Sequence, residues 1–355
     1  MMLLTCIVLF SMQLFAVLFL FLGRDKLGNT IPSANTDNPI KGISVIIPFH
    51  NEEERILSLI SYLNQSEIPE NIEFLFVNDH STDSTVELLR SKLDVAARIV
   101  NSDYDKGKKW AILAGVQCSV YEYVLTWDAD VVPAKEYFKA IFNIRDADLV
   151  ILPVNMTGKT ILGELASIEF SFLQMLTFGL SGFGFHILNN GANLMFKKEA
   201  FFQVQEARKD YGIPSGDDHF LLQAILKVGG KVVAAYKLDG SLSVNTNAPE
   251  NYQSIIKQRK RWLSKMSFLE NPLSLLSGCF LFLIQLGFVI SLIGCFYSLW
   301  FLIPLGIKFF AEFLASSSFL GQSVKRWFGL VLHQFWYPLY MVRLLFPAQK
   351  ESKWT

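Results

Sequence analysis

The sequence predicts an α/β domain with a mostly parallel sheet, flanked by membrane helices near the two ends of the chain. Two observations lead to this prediction. Apolar, strand-like runs alternate with amphipathic helical segments between residues 43 and 127, and repeated βα units of this kind form parallel sheets covered by helices. Long apolar runs with few charges lie before and after this region.

The alternating region is read as four strands joined by three helices. The strands are predicted over residues 43–48, 72–78, 98–101 and 123–127, and the helices over residues 52–64, 82–93 and 108–118. A further helix is predicted over residues 220–227. Ligands of such sheets bind at the carboxyl ends of the strands, so polar residues that directly follow a strand are the first candidates for a functional site.

The first apolar run predicts a membrane anchor. Residues 3–22 carry no charge, and about 20 apolar residues suffice to cross a bilayer. No Lys or Arg precedes the run, whereas Arg24 and Lys26 follow it, which favours a retained anchor over a secretory signal. The positive-inside rule then puts the following domain in the cytosol. We therefore expect an anchor over residues 1–24 and a linker over residues 25–41.

A second apolar region, residues 272–347, predicts two or three membrane helices. Residues 273–297 and 299–310 fit a hairpin of two spans, and residues 327–346 fit a third span or an interfacial helix. Residues 42–271 would then be the globular domain, and residues 348–355 a tail. The expected location is a multi-pass position in a plasma or bacterial inner membrane, although buried helices of a soluble core remain an alternative.

Charge and cysteine content exclude several classes of protein. The formal net charge is zero, which gives no electrostatic basis for nucleic-acid binding. The four cysteines show no Cys-x-x-Cys spacing suited to zinc or redox chemistry. We expect no structural disulfide and a reducing compartment.

Asp128 and Asp130 are the most informative pair in the chain. They directly follow the apolar strand 123–127. Two carboxylates supply oxygen ligands to Mg²⁺ or Mn²⁺ and leave positions open for substrate phosphates. Taken alone, an Asp-x-Asp pattern is also common in solvated turns and helix caps.

Other polar residues follow the first two strands. Glu52 comes after the first, and Asp79 ends the second in a position suited to a hydrogen bond with a base or ribose. Ser81 and Thr82 are read either as ligands or as helix N-caps. Lys108 opens the next helix, where cations and backbone N–H groups face anions, whereas Lys109 is interpreted as solvated surface.

Asp217 and Asp218 open the helix that follows a glycine-containing turn around Gly191. Adjacent carboxylates raise each other's pKa, so one of them is a candidate general base. The alternative is that both simply stabilise a helix N-terminus. His186 and His219 lie close by in sequence, and for both a structural role is favoured over a chemical one.

Gln258, Arg261 and Trp262 lie on a predicted helix just before the second apolar region. Positive charges at the cytosolic end of a membrane span, with a Trp at the interface, account for the Arg and the Trp but not for the Gln. Because the membrane explanation does not account for Gln258, the three residues are candidates for a functional site.

Taken in order, these segments resemble the family 2 inverting glycosyltransferases, and in particular the membrane-bound branch with a Gln-x-x-Arg-Trp motif. The resemblance covers residues 42 to 265. It rests on Val45-Ile46-Ile47-Pro48 with Asn51-Glu52-Glu53, the turn Val77 to Asp83, Lys106-Gly107-Lys108, Asp128-Ala129-Asp130, Gly191-Ala192-Asn193 with Phe196 to Ala200, Asp217-Asp218, and Gln258 with Arg261-Trp262.

The resemblance implies a GT-A fold that binds a nucleotide sugar, usually a UDP-sugar, together with Mn²⁺ or Mg²⁺. It also implies a role for each matching position. Asp218 would be the base with Asp217 beside it, and Asp128 and Asp130 would hold the metal. The donor would contact Pro48, Asn51, Glu52, Asp79, Lys108 and Asp128, and the acceptor and diphosphate would contact Gln258, Arg261 and Trp262.

The expected activity is transfer of a sugar to a lipid, lipid-linked or glycan acceptor at the cytosolic membrane face. Three alternatives stay open, namely a processive polysaccharide synthase, a non-catalytic scaffold that binds nucleotide sugars, and a nucleotidyltransferase. The chain departs from the family pattern by having Asn78-Asp79-His80 where Asp-Asp-Gly is commoner and Asp217-Asp218 where Glu-Asp is commoner. The few predicted spans favour a single addition over processive synthesis.

Overall fold

The computed structural model describes residues 1–28, 40–205, 208, 216–266, 272–317 and 324–345. These residues form two compact units. The sheet unit contains Leu27–Met156 and Leu188–Asn247, and the helical unit contains Met1–Lys26, Thr157–Ile187 and Ala248–Gln349. The predicted domain 42–271 is therefore divided between the two units, and most of the predicted linker 25–41 lies outside the described residues.

The elements are numbered here in chain order. The strands are β1 (Ile43–Phe49), β2 (Ile72–Asn78), β3 (Ala97–Asn101), β4 (Tyr123–Trp127), β5 (Val132–Pro133), β6 (Leu149–Ile151), β7 (Val154–Thr157), β8 (Asn193–Lys197), β9 (Val232–Ala234) and β10 (Val244–Asn247). The helices are α1 (Met2–Gly28), α2 (Leu57–Asn64), α3 (Thr85–Lys92), α4 (Lys108–Cys118), α5 (Tyr137–Ile141), α6 (Ile161–Ser181), α7 (Lys198–Gln205), α8 (Asp217–Lys227), α9 (Tyr252–Met266), α10 (Pro272–Cys295), α11 (Leu302–Ser317) and α12 (Val324–Leu345).

The sheet unit is built on a seven-stranded sheet with the order β3-β2-β1-β4-β8-β6-β9. Strand β1 is buried along its whole length and pairs in parallel with β2 and β4, which aligns Val45 with both Phe74 and Leu125. Burial on both faces favours apolar side chains, and the polar exception, Ser44, donates a hydrogen bond to Glu73 Oε1 at 2.5 Å. Strand β8 is antiparallel to β4 and β6, and the remaining described pairs of this sheet are parallel. The predicted α/β class with a mostly parallel sheet is confirmed.

Two helices begin later than predicted. Helix α2 starts at Leu57 and not at residue 52, and α3 starts at Thr85 and not at residue 82. At the start of α3 the carboxylate of Asp83 accepts hydrogen bonds from the N–H and hydroxyl of Thr85, at 3.1 and 2.6 Å. Ser81 and Thr82 are therefore not the N-caps of this helix, and the N-cap interpretation was wrong.

Helix α4 packs closely against the sheet. Gly115 faces Ile46 and Val77, and a Cβ atom at this position would lie 2.6 Å from Ile46 Cγ2 and 3.1 Å from Val77 Cγ2. The absence of a side chain lets the helix approach the two strands. Because α4 begins at Lys108, this packing also fixes the position of a candidate site residue.

The helical unit contains a glycine contact between α1 and α6. A Cβ atom at Gly23 would lie 1.9 Å from the carbonyl oxygen of Gly179, and one at Gly182 would lie 1.9 Å from the carbonyl oxygen of Gly23. The two backbones therefore touch directly. Small residues of this kind are typical of contacts between helices in membranes.

The helical unit buries polar side chains and exposes apolar ones. Lys308 and Gln334 are fully buried, and Glu312 beside them is 7% exposed. The Lys308 ammonium is paired with Glu312 and bonded to Gln334, and Gln13 Nε2 donates to Glu312 Oε1 at 3.3 Å. The outward-facing side chains include Leu4, Val8, Phe15, Leu22, Leu276, Phe282, Ile293, Phe296, Trp300, Phe328, Phe335 and Leu339. This distribution is the reverse of the one in a water-soluble helical bundle.

Among the described residues, two helices are long and apolar enough to cross a bilayer, namely α1 and α6. A further apolar segment, Cys279–Cys295, lies within α10. Helix α6 was not among the predicted spans, and it is mostly buried within the structure. The described helices therefore do not support the predicted multi-pass topology.

We predict opposite effects for two glycine-to-alanine changes in helices. Gly115→Ala would force a methyl group against Ile46 and Val77, and overpacking of this kind costs roughly 1–3 kcal/mol. Gly306→Ala in α11 meets no atom within 4 Å, so the higher helix propensity of alanine should stabilise by up to about 1 kcal/mol. Chemical denaturation of both variants tests this. Equal shifts in the same direction would contradict the close packing of α4.

Candidate active site

The loops after β1 and β2 are joined by hydrogen bonds. Asn51 has a positive φ of 54°, and its N–H donates to Ser81 Oγ at 3.1 Å while its Oδ1 accepts from the N–H of Thr82 at 2.8 Å. The N–H of Glu52 donates to Thr85 Oγ1 at 2.9 Å. These contacts hold the carboxyl ends of the two strands in one arrangement, whereas the preceding Pro48 is buried within β1.

Asp79 is fully buried and holds the turn before α4. Both of its carboxylate oxygens accept from the N–H of Gly107, at 3.0 and 2.9 Å, and Oδ1 lies 3.2 Å from His80 Nδ1. Gly107 has a φ of 150°, a backbone angle that residues other than glycine rarely adopt. The carboxylate that the sequence suggested as a base or ribose ligand thus fixes the residue before Lys108.

Lys108 lies between two groups of carboxylates. Its Nζ forms an ion pair with Asp128 Oδ1 after β4. Burial alone would lower the pKa of Lys108, but the charges of Asp128, Asp217 and Asp218 together raise it above its usual value. The ammonium group therefore stays charged and connects Asp128 electrostatically with the start of α8.

Gly191 brings the turn before β8 against the same residues. A Cβ atom at Gly191 would lie 3.2 Å from Asp217 Oδ2, 3.4 Å from Asp218 Cβ and 3.6 Å from Lys108 Nζ. Thr126 Oγ1 in β4 donates to the carbonyl oxygen of Gly191 at 2.9 Å and so ties this turn to the central sheet. Glycine at this position therefore lets the turn pack closely against the carboxylates of α8 and the Lys108 ammonium.

Backbone groups orient the Asp218 carboxylate. Oδ2 accepts from the N–H of Gly191 at 3.1 Å, and Oδ1 accepts from the N–H of His219 at 2.8 Å. Asn189 Nδ2 donates to the Asp218 carbonyl oxygen at 2.9 Å. Asp218 is therefore held in a fixed orientation at the N-terminus of α8, next to Asp217.

The carboxylates on the opposite side of Lys108 repel one another. Burial and the charge of Asp128 raise the pKa of Asp130. Burial also raises the pKa of Glu52 to about 7, and the charges of Asp130 and Asp128 add to the rise while Arg55 opposes it. Arg55 forms an ion pair with Glu52 at 2.7 Å. This part of the site carries more negative charge than its cations offset.

Excess negative charge of this kind fits a divalent cation. Asp128 and Asp130 are both partly exposed and their charges interact, which makes the two carboxylates candidate ligands of one cation. Within the described residues, no group of three or more His, Cys, Asp or Glu side chains forms a complete metal site. A cation held here would take its remaining ligands from water or substrate oxygens, as Mg²⁺ commonly does.

Lys109 is buried, so its interpretation as solvated surface was wrong. It is 6% exposed, and its Nζ lies 5.0 Å from the centre of the Phe220 ring. Together with Asp217 and Asp218, Lys109 lines a small internal cavity beneath the start of α8. No local pattern indicates this burial, because the aromatic partner comes from a helix more than 100 residues away.

The Gln-x-x-Arg-Trp segment lies on α9 in the helical unit. Here the buried arginine is Arg259, at 3% exposure, whereas Arg261 is exposed. The Arg259 Nε donates to Glu169 Oε2 at 3.0 Å, and its guanidinium carbon lies 4.2 Å from the centre of the Trp262 ring. Gln258 and Trp262 are half-buried.

The structure thus brings Lys108, Asp128, Asp217 and Asp218 together in the sheet unit, with Asp130 and Glu52 coupled to Asp128. Sequence reasoning missed Lys109, Thr126, Arg259 and Glu169. Glu169 gave a detectable signal, because it is an acidic residue within an apolar helical segment. His219 is buried and His186 Nδ1 lies 3.1 Å from Ser181 Oγ, in agreement with structural roles.

The raised pKa of Glu52 predicts a pH-dependent effect on stability. Since the folded state holds the Glu52 proton up to about pH 7 and the unfolded state loses it near pH 4.5, Glu52 lowers the stability of the wild type as pH rises through this window. The melting temperature of Glu52→Gln minus that of the wild type should therefore be larger at pH 8 than at pH 5. Thermal unfolding in EDTA measures the difference.

Glu54→Gln is the matched control for this experiment, because Glu54 is exposed and lies only two residues away. Its melting temperature should follow that of the wild type at both pH values. A Glu52→Gln curve parallel to that of the wild type would contradict the proposed protonation of Glu52.

Comparison with known proteins gives the family. Residues 123–347 match the sequence profile described as glycosyl transferase family group 2, and residues 44–160 match the profile described as glycosyl transferase family 2. The first match covers more than half of the chain.

Among curated proteins, the chain is 25% identical over 260 residues to a poly-beta-1,6-N-acetyl-D-glucosamine synthase of Staphylococcus epidermidis. The match covers 70% of this chain and 60% of that relative. It is also 34% identical over 103 residues to an undecaprenyl-phosphate 4-deoxy-4-formamido-L-arabinose transferase of Aeromonas hydrophila, covering 27% of this chain and 30% of that protein. The chain therefore spans only part of the length of these relatives.

Among solved structures, the chain resembles a mannosyltransferase from Pyrobaculum calidifontis in complex with GDP-Man and Mn²⁺, with a TM-score of 0.53 and 15% sequence identity. The superposition covers 96% of this chain and 92% of that one, and at this identity it supports a GT-A-like fold alone. Together with the profile matches, these findings show that the chain belongs to glycosyl transferase family group 2 and is a glycosyltransferase.

Proposed function

We propose that this glycosyltransferase moves a single sugar from a nucleotide diphosphate sugar, most simply a UDP-sugar, to a hydroxyl group of a lipid or lipid-linked acceptor, with inversion at the anomeric carbon. The observation that carries the proposal is the convergence of Lys108, Asp128 and the Asp217-Asp218 pair around Gly191. Cationic and acidic groups thus come together against a backbone position that carries no side chain.

In this proposal Asp218 acts as the general base. Its carboxylate takes the proton of the acceptor hydroxyl while the acceptor oxygen bonds to the anomeric carbon and the bond from that carbon to the diphosphate oxygen breaks. The N–H groups of Gly191 and His219 support this role, because they hold the carboxylate in one orientation. The nucleotide diphosphate leaves with the bonding electron pair.

Lys108 and the Asp128-Asp130 pair would hold the donor diphosphate. Lys108 contributes a permanent positive charge, and Asp128 with Asp130 would carry Mn²⁺ or Mg²⁺, which neutralises the leaving diphosphate when bound. The Mn²⁺ complex of the archaeal mannosyltransferase supports a divalent cation in this fold. By resemblance, Asn51, Glu52 and Asp79 would serve the nucleoside, and Gln258, Arg261 and Trp262 would serve the acceptor and diphosphate.

The reversed polarity of the helical unit supports attachment to a membrane. Its exposed surface is rich in apolar side chains, whereas Lys308, Glu312 and Gln334 are buried. Lipid solvates an apolar exterior, and charged groups inside lipid must be paired with one another. We place the protein at a membrane through α1, and Arg24 and Lys26 favour a cytosolic catalytic domain.

Processive polysaccharide synthesis is the second candidate. The relative that covers 70% of this chain is named as a polysaccharide synthase, which favours it. The same residues would perform each addition, so the two candidates differ in the length of the product. A single product species supports the first candidate, and a ladder of oligomers supports the second.

We predict metal-dependent release of a nucleoside diphosphate from one donor. The detergent-purified protein would be incubated with UDP- and GDP-sugars and a crude lipid extract, in Mn²⁺ or in EDTA. Asp130→Ala should lose most activity because it removes a metal ligand, and Asp218→Asn should reduce kcat by roughly 10²- to 10⁴-fold because it removes the base. Asp218→Asn should still bind the nucleotide.

Asp94→Asn serves as the matched control, since this exposed aspartate lies between α3 and β3. It should keep wild-type turnover. Silence of the wild type with all donors and no nucleotide binding would sink the proposal, and full activity of Asp218→Asn would remove Asp218 from the role of base.

A further inference from the structure

We infer that Arg259, held in place by Glu169, is a positioning residue that orients Gln258 and Trp262. Arg259 occupies one of the two variable positions of the Gln-x-x-Arg-Trp pattern, so the pattern itself assigns it no role. The inference rests on the proposed function in one respect, because Gln258 and Trp262 are taken there as contacts of the acceptor and diphosphate.

The Arg259 guanidinium is anchored on α6 from within the helical unit. Its Nε donates to Glu169 Oε2 at 3.0 Å, and its Nη2 donates to the carbonyl oxygen of Ala166 at 3.3 Å. The arginine side chain is 3% exposed and that of Glu169 is 15% exposed. Tyr340 Oη on α12 donates to the other oxygen of Glu169 at 2.8 Å, so three helices meet at this carboxylate.

The same guanidinium contacts both motif residues. Nη1 donates to Gln258 Oε1 at 2.5 Å. Its carbon lies 4.2 Å from the centre of the Trp262 ring, within the range of a cation–π interaction, and the Phe170 ring lies 6.1 Å from the same ring. Arg259 therefore determines where the Gln258 carbonyl points and where the Trp262 ring lies.

Energetic considerations argue against a purely stabilising pair. Removing a charge pair from water costs much of what the pairing returns, so a buried ion pair is a poor source of stability compared with apolar packing. A pair that also directs two neighbouring side chains has a geometric consequence that apolar residues of the same size cannot reproduce. Hydrogen bonds from three guanidinium nitrogens to three different residues, together with the contact over the Trp262 ring, require the planar guanidinium of arginine.

The test is a double-mutant cycle on kcat/KM for the acceptor. Trp262→Ala alone removes a proposed contact. If Glu169 and Arg259 position Trp262, then Glu169→Gln should lower kcat/KM by about 10- to 100-fold, and adding Trp262→Ala to it should cost several-fold less than Trp262→Ala costs in the wild type. Arg259→Lys keeps the charge but not the planar fork, and it should retain more activity than Arg259→Ala without reaching the wild-type value.

The control is a second buried ion pair of the same unit. Changing Lys308→Met together with Glu312→Gln removes both charges and leaves no orphan charge. This variant should keep kcat/KM within about threefold of the wild type, and Trp262→Ala should have its full effect in that background. Melting temperatures of all variants show whether each one folds.

Nucleotide binding and thermal stability separate the possible outcomes. A wild type that neither turns over a donor nor binds a nucleotide would overturn the proposed function before any variant is compared. With an active wild type, a folded Glu169→Gln variant whose effect simply multiplies with that of Trp262→Ala would overturn the positioning role and leave the proposed function intact. A loss of activity in Lys308→Met/Glu312→Gln equal to that in Glu169→Gln would assign both pairs to structure alone.

Discussion

The pairing of the Lys108 ammonium with the Asp128 carboxylate is the interaction on which the candidate active site depends. Asp128 follows β4, and the Asp217-Asp218 pair begins α8, so these carboxylates come from distant parts of the sequence. Without a cation between them, their charges would repel. Lys108 is itself placed by Asp79, which binds the N–H of Gly107, and by the packing of α4 on β1 and β2. The packing of the apolar core therefore fixes the position of Lys108 through the turn at Gly107.

Charge is distributed unevenly around this pair. Burial and neighbouring carboxylates raise the pKa values of Glu52 and Asp130, so the ionised forms of these two side chains are disfavoured. Under the proposed function, a donor diphosphate would add more negative charge, which a cation bound with it would offset. The electrostatics of these carboxylates would thus couple donor binding to metal binding. Coupling of this kind makes the two ligands increase each other's affinity by the same factor.

The sequence predicted the strands better than the side-chain environments, for physical reasons. Strand β2 was predicted to the residue because its buried centre, residues 74–77, is an unbroken apolar run, as a parallel strand covered on both faces favours. The start of α2 was misjudged because the N–H of Glu52 donates to Thr85 at the start of α3 and the N–H of Glu53 donates to Asp83 in the loop before it. These are tertiary contacts with no local signature. Lys109 and Arg259 were missed for a related reason. Each is buried against an aromatic ring, Phe220 in one case and Trp262 in the other, and only the folded chain shows these pairs.

The glycine contact between α1 and α6 has a consequence for synthesis of the protein. Gly23 leaves the ribosome about 150 residues before Gly179, which at roughly 5–20 residues per second amounts to about 10–30 s. Helix α1 can form within microseconds, but throughout that interval Gly23 lacks the α6 backbone that it contacts in the folded protein. An apolar helix without a partner needs either lipid or a chaperone around it. Early delivery of the nascent chain to a bilayer would meet that need, and it would present α6 with a partner that is already in place.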